Sequence, residues 1–401
     1  MSEVAALRDL VELRGEKSAG AKHPQLPYIG LEHVAQNSGE IIGRPPSASS
    51  VSINSVFASG DILFGKLRPN LRKCAQATFA GYCSTDLLVF RAKSGTDPSF
   101  AARTLQSETV FGEAIRTAEG TKMPRTSWSA LEGLPVFHPP LRQQRAIAKV
   151  LDTVDAAIRS TVTLIAKLEQ MKQGLLHELL TQGIRETGEV RDLLRYPEQF
   201  TDAAVGILPA KWTQSSLGEC CTIHDRSRFP IASEIRASIR GPFPYYGPTG
   251  VLDFIDEFRF DGTYFLIGED GDHFLKWAKR PMTQLVSGKF NVNNHAHVLQ
   301  GTTNCLTEWA ALFFRHRDIT LSLTRQGAGR FKLNQAALRN LWVPLPPIPE
   351  QRQILGVLNA FEQDVSAHQT DLRILGLLQR GLMDDLLTGR VRVTVDDEEA
   401  K

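Results

Sequence analysis

Three groups of side chains in this sequence are of types that could do chemistry, and each lacks a member. His295 and His297 stand two apart, so on a strand they would share a face and could begin a metal site. No third ligand follows at useful spacing. Glu269, Asp270 and Asp272 could attract Mg²⁺, but Gly268 and Gly271 among them make a turn with solvated carboxylates the simpler expectation. Cys220 and Cys221 are adjacent with no base beside them, which reads as a pair of small buried residues. There is no G-x-x-x-x-G-K-[ST] loop for ATP. There is also no Asn-Pro-Pro-aromatic run for amino-methyl transfer and no glycine fingerprint after a strand. Neither a catalytic residue nor a metal is expected. A chain of 401 residues without a catalytic constellation is read as a binder.

Basic and polar residues gather instead. Lys66, Arg68, Arg72 and Lys73 put four positive charges within eight positions, and the string Ser84-Thr85-Asp86 follows. A second set comprises Tyr245 and Tyr246 at a Gly-Pro turn, Lys289, Asn291, and the run Asn293-Asn294-His295. Lys122 and Arg125, and later Arg325, Arg330 and Lys332, complete the two sets. Lys and Arg suit phosphate contacts, whereas Asn, Arg and Ser can read base edges. One such cluster alone is a solvated loop; the same mixture twice points to DNA. Trp128, Leu131 and Leu134 are expected in the core and not at a contact surface.

The elements that must position these residues are duplicated. The segment from Gly120 to Arg185 recurs from Gly327 to Arg392 at a constant offset of 207 residues (327 − 120). Leu131, Leu134, Val136, Pro139 and Pro140 fall on Leu338, Leu341, Val343, Pro346 and Pro347; Gln144-Arg145 falls on Gln351-Arg352. The proline pairs end extended stretches, and a helical pattern follows each. Its seam is Ile147, Leu151, Val154, Ile158, Thr161, Ile165, Leu168, Lys172, Leu175 and Leu179. In the second copy it is Ile354, Leu358, Phe361, Val365, His368, Leu372, Leu375, Gln379, Leu382 and Leu386. Steps of three and four are the signature of a coiled coil. The polar interruptions coincide, Thr161 with His368 and Lys172 with Gln379, as residues that set register do. Each helix should run about 40 residues, or about 60 Å. Before each helix lies a Gly-, Pro- and aromatic-rich module with short strands at Asp61–Phe64 and Leu87–Phe90, and at Tyr264–Ile267 and His297–Leu299. A weaker echo pairs Gly60-Asp61-Ile62-Leu63-Phe64 with Gly262-Thr263-Tyr264-Phe265-Leu266, so the modules read as diverged cousins of one α/β-type fold.

Composition bounds rather than identifies. The chain is 42% hydrophobic and 22% charged, with a net charge of +2, so nucleic-acid binding would need a local basic surface. No apolar run approaches a membrane span. The opening Met1-Ser2-Glu3-Val4 lacks a signal-peptide layout. Five cysteines without zinc spacing suggest reduced thiols in a cytoplasm.

Several runs resemble the specificity subunit of a Type I restriction–modification system. They are Tyr28-Ile29-Gly30-Leu31-Glu32-His33-Val34, the run from Gly60 to Pro69, and Ile207-Leu208-Pro209-Ala210-Lys211-Trp212. The runs from Asp261 to Gly271 and from Val292 to Leu299 are similar as well, as is Pro346-Pro347-Ile348-Pro349-Glu350-Gln351-Arg352. The first copy departs, with Arg142-Gln143 where the family usually has a small residue or proline and then Glu. The resemblance implies two target recognition domains, at residues 1–133 and 189–342. Repeats with long spacer helices would lie at 134–188 and 343–392; the acidic run Asp396-Asp397-Glu398-Glu399 itself marks 393–401 as a disordered tail. It implies an α/β (α+β) fold with two similar domains separated by antiparallel helices, and a bipartite DNA target. It also implies two docked methyltransferase subunits and restriction subunits. S-adenosylmethionine, ATP and Mg would be on those partners and no cofactor on this chain. The rival expectations are a non-enzymatic coiled-coil scaffold, a stand-alone DNA-binding protein, and a solitary DNA-modifying enzyme.

Overall fold

The computed structural model describes residues 3–19, 25–43, 53–326 and 330–394; the acidic run Asp396–Glu399 lies outside them. By its contacts the chain divides into two units, Met1–Leu164 with His368–Lys401, and Ile165–Ala367. No helix among the described residues is long and apolar enough to cross a membrane.

The first unit holds strands β1 (Val4–Ala6), β2 (Val11–Leu13), β3 (Lys17–Ala19), β4 (Tyr28–Ile29), β5 (Ile53–Phe57), β6 (Ile62–Gly65), β7 (Cys74–Gln76), β8 (Gly81–Cys83), β9 (Leu87–Ala92) and β10 (Pro135–Phe137). Two four-stranded sheets form, in the orders β2-β9-β6-β7 and β3-β5-β8-β4. β6 is apolar on both faces because both are covered. Ile62 and Phe64 join a core with the helices Pro98–Gln106 and Glu108–Arg116, while Leu63 joins a second core with Ile29, Phe57 and Val89. Asp97 and Ser107 cap those helices by accepting from the Phe100 and Val110 amides, which stabilises each by about 1 kcal/mol. Leu131 is buried, and Trp128 and Leu134 pack on the same core.

The second unit holds β11 (Phe200–Ala203), β12 (Gly206–Pro209), β13 (Thr213–Ser216), β14 (Cys221–Ile223), β15 (Arg240–Gly247), β16 (Gly250–Ile255), β17 (Phe260–Gly268), β18 (Thr283–Val292), β19 (Ala296–Gly301), β20 (Thr324–Gln326), β21 (Arg330–Lys332) and β22 (Trp342–Leu345). Its main sheet runs β14-β19-β17-β18-β15-β16. The helix Thr307–Phe314 covers one face with Trp309, Phe313 and Phe314, and the Trp309 indole donates to the Pro344 carbonyl at 2.7 Å.

Two long helices, Leu141–Thr181 and Ile348–Leu387, begin just after the proline pairs. In the first unit Ile147 and Leu151 share a core with Leu386 and Leu387; in the second, Leu179 shares one with Ile354 and Leu358. Early residues of one helix thus meet late residues of the other, which is antiparallel packing. Every residue of both expected seams is buried or half-buried. The polar seam residues pair across the helices. Lys172 binds Glu362 at 2.6 Å and Gln379 binds Asp155, and Glu362 lies 207 residues after Asp155 (362 − 155), as Gln379 does after Lys172 (379 − 172). A domain arginine reaches each acid, Arg103 to Asp155 at 2.5 Å and Arg315 to Glu362 at 2.9 Å.

The duplication extends through both modules. β1 pairs with β10 as β13 pairs with β22. Asp9 accepts from the Ala6 amide as Glu219 does from the Ser216 amide. The repeated glutamine is a clamp. Gln144 accepts from the Asp97 amide at 2.8 Å and donates to the carbonyls of Gly95 and Pro139. Gln351 accepts from the Leu306 amide at 2.9 Å and donates to the carbonyls of Asn304 and Pro346. The register corrects the weaker echo by one residue. Ile62 lies opposite Phe90, itself opposite Leu13; Phe265 lies opposite Leu299, itself opposite Ile223. Ile62 therefore corresponds to Phe265 and not to Tyr264. A one-residue slip exchanges the faces of a strand, so the similar letters misled.

Candidate nucleic-acid interface

In the first unit a basic cluster forms where β6 ends. Lys66 donates its amide to the Asp86 carbonyl at 3.0 Å and accepts from the Thr126 amide at 3.0 Å. Leu67 bridges Arg125, and the Arg68 amide donates to the Pro124 carbonyl at 2.7 Å. Three stretches distant in sequence, 66–68, 84–86 and 122–125, are thereby drawn together. Arg68, Thr85, Lys122 and Arg125 are exposed, with Lys66 and Ser84 half-buried. Arg125 pairs with Asp86 at 3.1 Å, and the Arg68 guanidinium reaches the Lys122 carbonyl at 3.5 Å. Arg68 and Arg72 hold left-handed backbone, at φ 51° and 50°. This costs an arginine about 1 kcal/mol each, and strain of this kind gathers at working surfaces.

Two cations of the sequence cluster are engaged inside the unit. Arg72 pairs with Glu108 at 2.7 Å and lies over the Phe111 ring. The hydrogen bonds from Arg72 hold the Glu108 carboxyl below the usual carboxylate range, against the cost of its partial burial. Lys73 donates to the Leu31 carbonyl at 2.6 Å.

The second unit builds its polar group at the equivalent place, where β17 ends. The Glu269 amide donates to the His295 carbonyl at 2.8 Å, the Leu333 amide donates to the Glu269 carbonyl at 2.7 Å, and Asp270 bridges Lys332. Lys66, Asp86, Arg125 and Thr126 thus correspond to Glu269, His295, Lys332 and Leu333. The backbone lattice is the same and the chemistry differs. Glu269 is held by Arg228 at 2.8 Å and Lys332 at 3.3 Å, and Asp270 by His295 at 2.9 Å. Glu269 is thus ion-paired and Asp270 is hydrogen-bonded to His295, unlike the solvated carboxylates that the glycines suggest, while Asp272 is exposed. Asn293 accepts from the His295 amide and is buried; Asn294 and His295 are exposed.

The remaining sequence candidates scatter. Tyr245 is buried; its hydroxyl accepts from the Ile231 amide at 2.9 Å and donates to the Phe229 carbonyl at 3.1 Å, so it offers nothing to a ligand. Exposed Lys289 sits opposite Asp261 at the other end of β17, with its ammonium over the Phe258 ring. Arg325 lies over Phe331 on the β20–β21 hairpin, and Arg330 is on the same hairpin. His295 and His297 do not act together. His297 is buried between Asp225 at 2.6 Å and the Leu333 carbonyl at 2.7 Å. Burial pushes the Asp225 carboxyl up, but the bond from His297 and the charge of Arg228 outweigh it and hold it below the usual range.

The Type I restriction modification DNA specificity domain matches twice, at residues 3–170 and 209–373. The chain belongs to this family. A putative type I restriction enzyme specificity subunit of Haemophilus influenzae is 31% identical over 149 residues, 36% of each chain. The putative type I restriction enzyme MjaX specificity subunit of Methanocaldococcus jannaschii is 24% identical over an alignment of 435 positions, covering 98% of this chain and 94% of that one. The chain spans about a third of the length of the first curated relatives it matches, 36% and 35%. The crystal structure of a Type I restriction–modification S subunit from M. genitalium superposes with a TM-score of 0.59 at 16% identity, over 98% of this chain and 96% of that one. Specificity-family membership accounts for the twofold scaffold. Among the residues that differ between its two copies are those at the ends of β6 and β17. Arg228 and Asp225, which fasten the second group, were not singled out by sequence. Their partners lie 41 and 72 positions away, so no local spacing marks them.

Proposed function

We propose that this chain is the DNA sequence-specificity subunit of a Type I restriction–modification complex, each unit reading one half of a bipartite target. The observation that carries this reading is the pairing of equivalent backbone lattices with unlike side chains. The first unit presents Lys66, Arg68, Lys122 and Arg125, of which Arg125 pairs with Asp86. The second presents Arg228 and Lys332 paired with Glu269, and His295 hydrogen-bonded to Asp270. One frame with two surfaces suits two different half-sites, and a duplicated frame suits a partner that docks twice. That partner would be a methyltransferase subunit carrying S-adenosylmethionine, joined by restriction subunits using ATP and Mg. The chain itself would be non-catalytic and would work in the cytoplasm. Ser84, Thr85, Asn294 and His295 would face base edges, and Arg68, Lys122, Lys289 and Arg325 phosphates.

The test is co-expression with a methyltransferase subunit from the same operon in a methylation-free host, followed by mapping of modified adenines. The expected result is a two-part motif with a fixed gap, absent without this chain. A soluble complex of the two proteins that modifies nothing would favour a scaffold. Modification by this chain alone would favour a solitary enzyme.

A further inference from the structure

Cys220 and Cys221 meet a third thiol that no sequence spacing announces. Cys305 lies 84 residues beyond Cys221 (305 − 221), yet the three sulfurs all lie within 4.8 Å of one another, with the Cys220 and Cys221 sulfurs 4.0 Å apart. All three residues are buried and unbridged. The placement is built. Cys220 ends the one-turn helix Leu217–Cys220 and Cys221 opens β14. The turn carrying Cys305 is fastened to the same spot, because the Thr302 amide and hydroxyl both donate to the Cys220 carbonyl, at 3.1 and 3.0 Å. Gly301 permits that approach, since a Cβ there would stand 2.0 Å from the Cys305 carbonyl oxygen. Gln351 holds the turn from its other side through Asn304 and Leu306.

The first unit shows what this spot needs for packing alone. The equivalent positions, by the helix ends and the glutamine clamps, are Leu10, Val11 and Thr96. All three are buried there without a thiol. The fold therefore does not require cysteine at any of the three places, yet the second unit has it at all three. Three sulfurs around a cation at a metal–sulfur distance of about 2.3 Å lie about 4 Å apart, close to the spacing present. A pocket of about 390 Å³ lined by Lys211, Glu219, Cys220, Thr302 and Asn304 reaches the cluster from outside.

We propose that Cys220, Cys221 and Cys305 form a three-thiolate site for a soft cation of the Zn²⁺ or Cu⁺ class, which pins the turn after β19 to the start of β14. Thiolate ligands select these ions over hard ones. On binding, each S–H gives its proton to solvent as a sulfur–metal bond forms, with no change of oxidation state. Water entering from the pocket completes the coordination where the ion takes four ligands.

Cd²⁺ is the spectroscopic probe. The full-length protein, stripped of metal and kept anaerobic, is titrated with Cd²⁺ while the ultraviolet sulfur-to-metal charge-transfer band and the released protons are followed. The expected result is saturation at one ion per chain with about three protons released, one for each thiol. Cys305→Ala should weaken binding at least tenfold, and Cys74→Ala, at a buried thiol of the first unit, should leave it unchanged. Zn²⁺ and Cu⁺ should each compete with the probe, whereas Mg²⁺ should not. Absence of the band in the wild-type protein would overturn the proposal, since that measurement needs no variant to fold. So would undiminished binding in both Cys305→Ala and Cys220→Ala; the three thiols would then be small buried packing groups.

Discussion

Arg68 shows how much of one residue's role is set by its backbone. Its left-handed conformation, followed by Pro69 and a second left-handed arginine, turns the chain away from β6 and leaves the guanidinium exposed. Lys66 and Arg68 together are expected to supply one or two phosphate contacts. Replacing both by Ala should weaken DNA binding by the reconstituted complex and flatten its salt dependence by about 1–2 in the slope of log K against log salt. An unchanged slope would remove them from the interface. Asp225 works differently, as a buried acid that holds a histidine and an arginine in place. Its native pKa is lowered, so its stabilisation is complete above the ordinary carboxylate range near 4 and is lost as the pH falls through the lower native value. Asp225→Asn should therefore lower the melting temperature most at neutral pH, and the gap to wild type should close in acid. A gap that widens in acid would reverse the sign of this argument.

Among the elements, the glutamine clamps are the most informative, because one residue type does the same work twice. Gln144 and Gln351 are 1% and 0% exposed, and each joins the start of a long helix to the turn that feeds the covering helix. Replacing either by Ala leaves a half-buried amide and one buried carbonyl, that of Pro139 or Pro346, unpaired, at about 1–3 kcal/mol. Hydrogen exchange should locate the loss. Gln144→Ala is expected to loosen the amides around Asp97, and Gln351→Ala those around Leu306, each leaving the other unit unaffected. Equal loosening of both turns by one substitution would contradict the independence of the two clamps. The polar seam of the long helices follows the same logic. Lys172 and Gln379 interrupt an apolar stripe and each finds an acid on the opposing helix, which fixes the register that leucines alone would leave free.

For the whole molecule, the duplication makes length a variable separate from recognition. An extra heptad in both long helices adds about 10 Å of helix, or about three base pairs at 3.4 Å each. Under the proposed function the methylated motif should keep both halves and gain a longer gap; methylation at the original spacing with undiminished preference would count against a ruler. The sequence by itself determined the repeat, the two helices, their seams and polar interruptions, and the strands that became β6, β9, β17 and β19. Those features depend on neighbours within about eight residues, or on an exact copy elsewhere in the chain, and both are visible in one dimension. Tertiary structure alone decided which polar residues meet. Arg125 reaches Asp86, and Arg228 reaches Glu269, only because antiparallel strands fold distant segments together. Tyr245 and Lys73 looked available and were consumed by the backbone carbonyls of Phe229 and Leu31. Cys305 came to Cys220 and Cys221 through a glycine turn and a threonine clamp. Burial and hydrogen-bond satisfaction are properties of the packed chain, and residue spacing carries no record of them.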